Sequence, residues 1–142
     1  MKSPAINQAM DILRQLRHIS EGPDTLPVKL DKIVTMIVGQ MQADAGACYL
    51  VVDDNYLELF AASGFNDRIA HKVSLRVGEG LVGDVAENCR SLAVADAWKH
   101  PKFSYKPEMG EEKYKSFVGV PLIRWSRAIG VITLQKNEIY EY

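Results

Sequence analysis

The residues whose spacing most suggests chemistry form a glycine-rich segment in the middle of the chain. Gly78, Gly80 and Gly83 spell GxGxxG between a predicted strand and a predicted helix, and Asp96 ends the next predicted strand. In dinucleotide-binding proteins this pattern brings a pyrophosphate to the free N–H groups of a helix.

That interpretation conflicts with the elements around the glycines. The preceding strand, 73–77, alternates apolar with polar residues, whereas the first strand of a dinucleotide-binding fold is buried on both faces. The helix has only about two turns, and no second β-α-β unit follows. We therefore assign the glycines to a tight turn and to close packing of the helix on the sheet.

Other side chains with catalytic or metal-binding potential are scattered. His18, His71 and His100 fall in a helix, at a strand entrance and in a loop, and none accompanies a nucleophile motif. Cys48 and Cys89 form no metal-ligand spacing with each other or with a histidine. We expect no catalytic residue, no cofactor and no metal in this chain, and two buried thiols in a reducing compartment.

An aromatic-rich loop is the remaining candidate for function. Trp98, Phe103 and Tyr105 are crowded, with His100, into the polar stretch 96–115. A long ordered loop with aromatic residues usually covers something. Two interpretations stay open: the loop is a lid that closes on a small ligand over a concave sheet face, or its aromatic rings fill that face in place of a ligand.

Composition narrows the class of protein. A chain of 142 residues, 47% hydrophobic and 25% charged, is the size of one ordinary domain. The net charge is -1 and neither sign forms a long block, so we expect no nucleic-acid or membrane partner. No apolar run approaches the roughly 18 residues of a spanning helix, and no signal peptide opens the chain, which predicts a cytoplasmic protein.

Two amphipathic helices are predicted before any strand. Ser3-Pro4 signals a helix start, and the apolar residues from Ile6 to Ile19 recur at three- and four-residue spacing. A second stripe, 30–41, follows a cap at Asp24 or Thr25. We assign residues 1–22 to an N-terminal helix that either pairs with a second copy in a dimer or packs on its own domain.

The rest of the sequence predicts a sheet. Its apolar and alternating runs indicate an α+β fold with a central antiparallel sheet, helices packed on one face and a ligand-pocket loop region on the other. Residues 23–142 would form this domain, ending before a C-terminal helix that would complete its cover. The predicted strands are 47–52, 56–62, 73–77, 92–95, 117–123 and 128–134, with a short helix at 81–88.

Four segments together resemble the GAF domain family, over about 26–134. They are the glycine segment 78–87, the run 94–97 followed by His100-Pro101 and Phe103, the strand 116–123 and the strand 129–132. The loop with 111–114 and the hairpin 122–125 are most similar to the GAF domains of nitrogen-branch phosphoenolpyruvate-protein phosphotransferases. Sensor domains of nitrogen-fixation transcription activators are the second resemblance.

The resemblance implies a regulatory role for a larger protein. The parent would use phosphoenolpyruvate and Mg2+ to phosphorylate itself and then a phosphocarrier protein, whereas this chain would be non-enzymatic and would sense nitrogen or carbon status. Glutamine and 2-oxoglutarate are the metabolites that the family suggests, and a non-sensing dimerisation module is the rival interpretation. The cyclic-nucleotide signature and the several pocket cysteines of the enzymatic GAF domains are absent from the sequence.

The same resemblance implies a pocket between the sheet and the segment 80–105. Asp84 or Asp96 would meet the ammonium of glutamine, whereas Arg90, Lys102 or Arg124 would meet a dicarboxylate. Ser116 and Thr133 would be hydroxyl donors. The expected pocket residues are Phe60, Leu81, Val82, Asp84, Asp96, Trp98, Phe103, Tyr105, Ser116, Val118, Val120 and Thr133.

Overall fold

The structure is a computed structural model that describes residues 4–64, 73–103 and 114–142. Two helices open the chain and a six-stranded sheet with one further α-helix and a short 3-10 helix follows. The elements are α1 (Pro4–Glu21), α2 (Leu26–Gln40), β1 (Ala45–Val52), β2 (Tyr56–Ser63), β3 (Ser74–Arg76), α3 (Gly80–Asn88), β4 (Leu92–Val94), a 3-10 turn (Ala97–Lys99), β5 (Ser116–Arg124) and β6 (Arg127–Lys136).

The sheet is antiparallel throughout, in the order β3-β2-β1-β6-β5-β4. On one side of the sheet β2 pairs with β1 and β3, and on the other side β5 pairs with β4 and β6. Strand β1 pairs with β6 at the centre. The pairing of β1 with β2 contains a bulge, because Cys48 pairs with Ala61 and Tyr49 pairs with Leu59. Phe60 is the extra residue of this bulge, which bends the strand locally.

Alternation along each strand gives the sheet two apolar faces. On one face, Cys48 and Ala61 pack with Val34 of α2. On the other face, Tyr49, Leu59 and other buried residues pack with α3 in the larger core cluster. We call these the α2 face and the α3 face.

Helix α1 lies outside this core and packs on α2. The Gln8 side chain donates to the carbonyl of Gln40, and the Lys29 ammonium donates to the carbonyl of Ser20. The apolar stripe predicted for this helix divides in two. Its later residues, from Leu16 to Ile19, are half-buried, whereas the earlier ones are exposed, and no residue of α1 is fully buried.

The glycine segment has the packing role predicted for it. Gly78 and Gly80 have φ of 94° and 67°, a left-handed backbone that glycine adopts without strain. Gly78 N–H donates to the carbonyl of Gly83 at 2.9 Å. A Cβ on Gly83 would lie 2.6 Å from the carbonyl oxygen of Arg76, so the segment brings α3 directly against the end of β3.

The predicted α+β class is therefore confirmed, with small differences in the elements. Strand β3 keeps only 74–76 of the predicted 73–77, although Val73 is also buried. Strands β5 and β6 extend one or two residues beyond their predicted ends. Their longer pairing ends in the two-residue turn Trp125-Ser126, and both turn residues have left-handed φ.

Candidate ligand-binding face

Helix α3 places part of the predicted pocket over the centre of the sheet. Leu81 and Val82 are buried on its inner side and belong to the core cluster of the α3 face. Thr133 lies on the same face, where it pairs with Ala47 on one side and Gly119 on the other. These three residues therefore lie in the interior, between the helix and the strands.

The aromatic residues of the 96–103 segment lie along the edge of this interior. Trp98 and Phe103 stack with ring centroids 4.7 Å apart, and Phe103 packs against the core cluster. The Trp98 indole Nε1 donates to the carbonyl of Tyr114 at 2.9 Å. The Tyr114 hydroxyl in turn donates to the carbonyl of Gly64. We call Trp98 and Phe103 the aromatic cover. Hydrogen bonds hold this cover to Tyr114, just before β5, and through Tyr114 to Gly64, just after β2.

The two predicted carboxylates occupy different surroundings. Asp96 precedes the 3-10 turn, its side chain is 22% exposed, and it lies 3.7 Å from the Lys99 ammonium. Asp84 lies on the outer side of α3, where its carboxylate accepts from the Asn88 amide at 2.9 Å. Asp96 is therefore the one of the two that adjoins the aromatic cover.

Three predicted residues lie on the opposite side of the sheet. The side of β5 that faces α2 carries Ser116, Val118 and Val120. Val118 pairs with Leu134 and Val120 pairs with Ile132, which packs on the cluster of the α2 face. Ser116 is buried there, where its hydroxyl accepts from the Lys136 N–H and shares a hydrogen bond with the Tyr142 hydroxyl.

The predicted pocket residues thus lie in different parts of the fold. The α3 face brings together Leu81, Val82, Trp98, Phe103 and Thr133, with Asp96 beside them. Phe60 occupies the β2 bulge and is half-buried, and Tyr105 lies outside the described residues.

Two tyrosines of the α3 face were not among the predicted pocket residues. Tyr49 and Tyr114 are 2% and 4% exposed and belong to the same core cluster as Leu81. The signal for Tyr49 was its place in the alternation of β1, because it shares a face with Ala47. Tyr114 lies just before β5, where no alternation of apolar and polar residues predicts which way its side chain points.

Burial of the Cys48 thiol against α2 predicts a pH dependence. Desolvation raises the pKa of Cys48 from 9.0 to about 11, which favours the neutral thiol in the folded protein. Its stabilising contribution is complete below pH 9 and is lost as the pH rises through 11. This loss amounts to about 2–3 kcal/mol in the free energy of unfolding.

Chemical denaturation between pH 8 and 11.5 tests this expectation. Cys48→Ala should flatten the fall in stability above pH 9, and it should leave the reaction of half-exposed Cys89 with a thiol reagent unchanged. Burial also raises the pKa of Tyr142, so Tyr142→Phe serves as the control that separates its contribution. An equal fall with and without Cys48 would contradict the assignment.

Among residues 4–64, 73–103 and 114–142, no three His, Cys, Asp or Glu side chains are grouped to hold a metal ion. In the same part of the chain, no helix has the length and apolar character needed to cross a membrane.

Comparison with known proteins places this geometry in a family. The GAF domain model matches residues 27–142, which include all six strands, α2, α3 and the aromatic cover. The chain belongs to the GAF domain family. This GAF domain has two apolar sheet faces, one under α2 and one under α3, as described above.

Individual relatives narrow the comparison. The chain is 33% identical, over 92% of its length, to a phosphoenolpyruvate-dependent phosphotransferase system protein of Escherichia coli, and it covers 18% of that protein. It is 30% identical, over 96% of its length, to the Nif-specific regulatory protein of Azospirillum brasilense and covers 22% of it. The chain thus spans about a fifth of the curated relatives that it matches.

A solved GAF domain shares both sequence and fold with the chain. It comes from the phosphoenolpyruvate-protein phosphotransferase of Coxiella burnetii, and it superimposes with a TM-score of 0.89 at 32% identity. The alignment covers 99% of this chain and 83% of that one. In fold and in sequence the chain is therefore similar to a phosphotransferase GAF domain.

Proposed function

We propose that this GAF domain is the regulatory module of a phosphoenolpyruvate-protein phosphotransferase and responds to a nitrogen or carbon metabolite. The observation that carries the proposal is its 32–33% identity to phosphotransferase GAF domains over at least 92% of the chain. In the parent protein, a separate catalytic domain would use phosphoenolpyruvate and Mg2+ and pass the phosphoryl group to a carrier protein. The likeness to a Nif-specific regulator supports a nitrogen-related input.

The α3 face is the site that we assign to the metabolite. Asp96 supplies a half-buried carboxylate beside the stacked pair Trp98 and Phe103, and an ammonium group prefers such a partner to water because the carboxylate is partly desolvated. Thr133 supplies a hydroxyl on the sheet side. This arrangement favours glutamine, which carries an ammonium, over the dicarboxylate 2-oxoglutarate.

A binding comparison tests the site. Asp96→Ala and Trp98→Ala should each weaken metabolite binding at least tenfold, because one removes the charged partner and the other removes the aromatic wall. Titration calorimetry measures both affinities, with thermal unfolding as the check of folding. Asp11→Ala on α1 is the control for a lost carboxylate, since its side chain is exposed and far from this face.

Equal affinity for the two variants and the unchanged chain would remove Asp96 and Trp98 from the site. A loss of affinity in Asp11→Ala of the same size would show that overall charge, rather than the α3 face, governs binding. The expected pattern is a loss in the first two variants alone.

A second function is favoured by α1, namely self-association of two copies. Ile6, Met10 and Leu13 lie one helical turn apart, and their side chains are 52%, 37% and 59% exposed. Neighbouring apolar residues on one helix face usually pack against something. We propose that they pair with the same residues of a second copy, because a two-fold axis makes one stripe complementary to itself.

A further inference from the structure

A cavity of about 550 Å3 lies at the end of the α3 face, between the β5–β6 hairpin and the C-terminal end of α3, and it does not include Asp96, Trp98 or Phe103. Its volume is within the range of small-molecule sites. Val51, Val77 and Ala128 give it an apolar floor that continues the core cluster. Arg124, which we predicted from the sequence as a partner for a dicarboxylate, lines this cavity, whereas the other predicted pocket residues that the structure describes do not.

Charges of opposite sign line opposite walls of the cavity. Arg124 and Arg127 lie on the hairpin, where the register pairs them directly across the two strands. Like charges at such a pair repel unless an anion lies between them. Glu87 lines the other side, on α3, whereas Asp54 lies beside the hairpin, where Arg127 approaches it to 3.9 Å.

One charge of each sign is left without an ion pair. Within the described part of the chain, Arg124 has no carboxylate partner and stacks 4.2 Å from the ring of Trp125, which is 83% exposed. Glu87 has no cationic partner in the same residues. The cavity therefore offers an available cation on one wall and an available anion on the other.

The end of α3 adds negative potential on the side of Glu87. The helix stops at Asn88, and Cys89 follows in a left-handed conformation and lines the cavity. The last carbonyl groups of a helix lack intrahelical donors and carry the negative end of the helix dipole. A ligand cation is therefore favoured at this wall, and a ligand anion at the hairpin.

We propose that this cavity binds a small zwitterion of the dipeptide class. Its carboxylate lies at Arg124 and Arg127, its ammonium at Glu87 and the end of α3, and its apolar side chains on the floor. In an extended dipeptide the terminal ammonium and carboxylate lie about 7 Å apart, with an apolar body between them. A free amino acid is smaller and would leave much of the cavity volume to water. The cavity shares the α3 face with the proposed metabolite site but none of the residues assigned to that site.

Three probes of matched size test the proposal with the 142-residue chain. Leucyl-leucine carries both charges, N-acetyl-leucyl-leucine lacks the ammonium, and leucyl-leucinamide lacks the carboxylate. Backbone amide shifts in NMR titrations should change at Ala86, Cys89 and Ala128, rather than at Asp96, Trp98 and Phe103. The zwitterion should bind at least tenfold more tightly than either analogue.

Single substitutions test which wall of the cavity each charge of the ligand contacts. Glu87→Gln should weaken leucyl-leucine at least fivefold and leave the N-acetyl analogue unchanged, whereas Arg124→Gln should weaken leucyl-leucine and leave the amide unchanged. Arg14→Gln and Asp11→Asn, on exposed α1 positions, are the matched controls and should change nothing. Equal affinity for the three probes, shifts confined to Asp96, Trp98 and Phe103, or no saturable shift with leucyl-leucine would each overturn the proposal.

Discussion

Replacing Gly83 with alanine is expected to lower the free energy of unfolding by about 2 kcal/mol. The new Cβ would lie 2.6 Å from the carbonyl oxygen of Arg76 and 2.9 Å from the backbone nitrogen of Gly78. Both are backbone atoms, so no side chain can move aside and α3 must shift from the end of β3. The higher helix propensity of alanine offsets only about 1 kcal/mol of this cost.

Gly39→Ala is the matched control for this substitution. Gly39 also lies in a helix, but its Cβ would meet nothing within 4 Å. Its replacement should therefore raise stability by about 0.5 kcal/mol through helix propensity alone. Thermal unfolding should separate the two variants by several degrees in opposite directions. Unchanged stability in Gly83→Ala would contradict the close approach of α3 to β3.

Removing residues 1–22 is expected to convert a dimer of this domain into a monomer. The deletion removes the exposed apolar residues of α1 through which we propose that the two copies pair. Light scattering with size-exclusion chromatography measures the change in mass. Among the deleted residues that the structure describes, 4–22, none is fully buried, so the sheet and its two apolar faces should still unfold cooperatively.

Leu13→Glu should have the same effect within the full chain. It places a charge within the exposed stripe, where burial in a dimer interface would cost several kcal/mol. The neighbouring Arg14→Glu changes charge at an exposed position off that stripe and should leave the mass unchanged. A monomer before any substitution, or a dimer that survives both the deletion and Leu13→Glu, would contradict self-association through α1.

Much of the fold follows from periodicity. The apolar run around Cys48 and Tyr49 predicts a strand, and the turn glycines predict where α3 meets the sheet. The elements are accordingly close to those predicted. What the sequence did not reveal is which face each side chain of β5 occupies, because both alternating sets of that strand are apolar from Phe117 to Ile123.

The candidate site was harder to predict for that reason. Ser116, Val118 and Val120 were chosen by their likeness to family motifs, but pairing with β6 places them on the α2 face. A motif fixes which residues are near one another in the chain, whereas the register of a sheet decides which face they share. The hairpin cavity depends on contacts between distant segments, Asp54 with Arg127, and no local pattern signals it.

The most direct test of the regulatory proposal is a titration of the domain with glutamine and with 2-oxoglutarate by calorimetry. Trp125→Phe leaves Trp98 as the only tryptophan, so its fluorescence reports independently on the α3 face. We expect saturable binding of one metabolite, glutamine first, with a matching change in Trp98 emission. No heat and no emission change with either metabolite, in a domain that unfolds cooperatively, would contradict it.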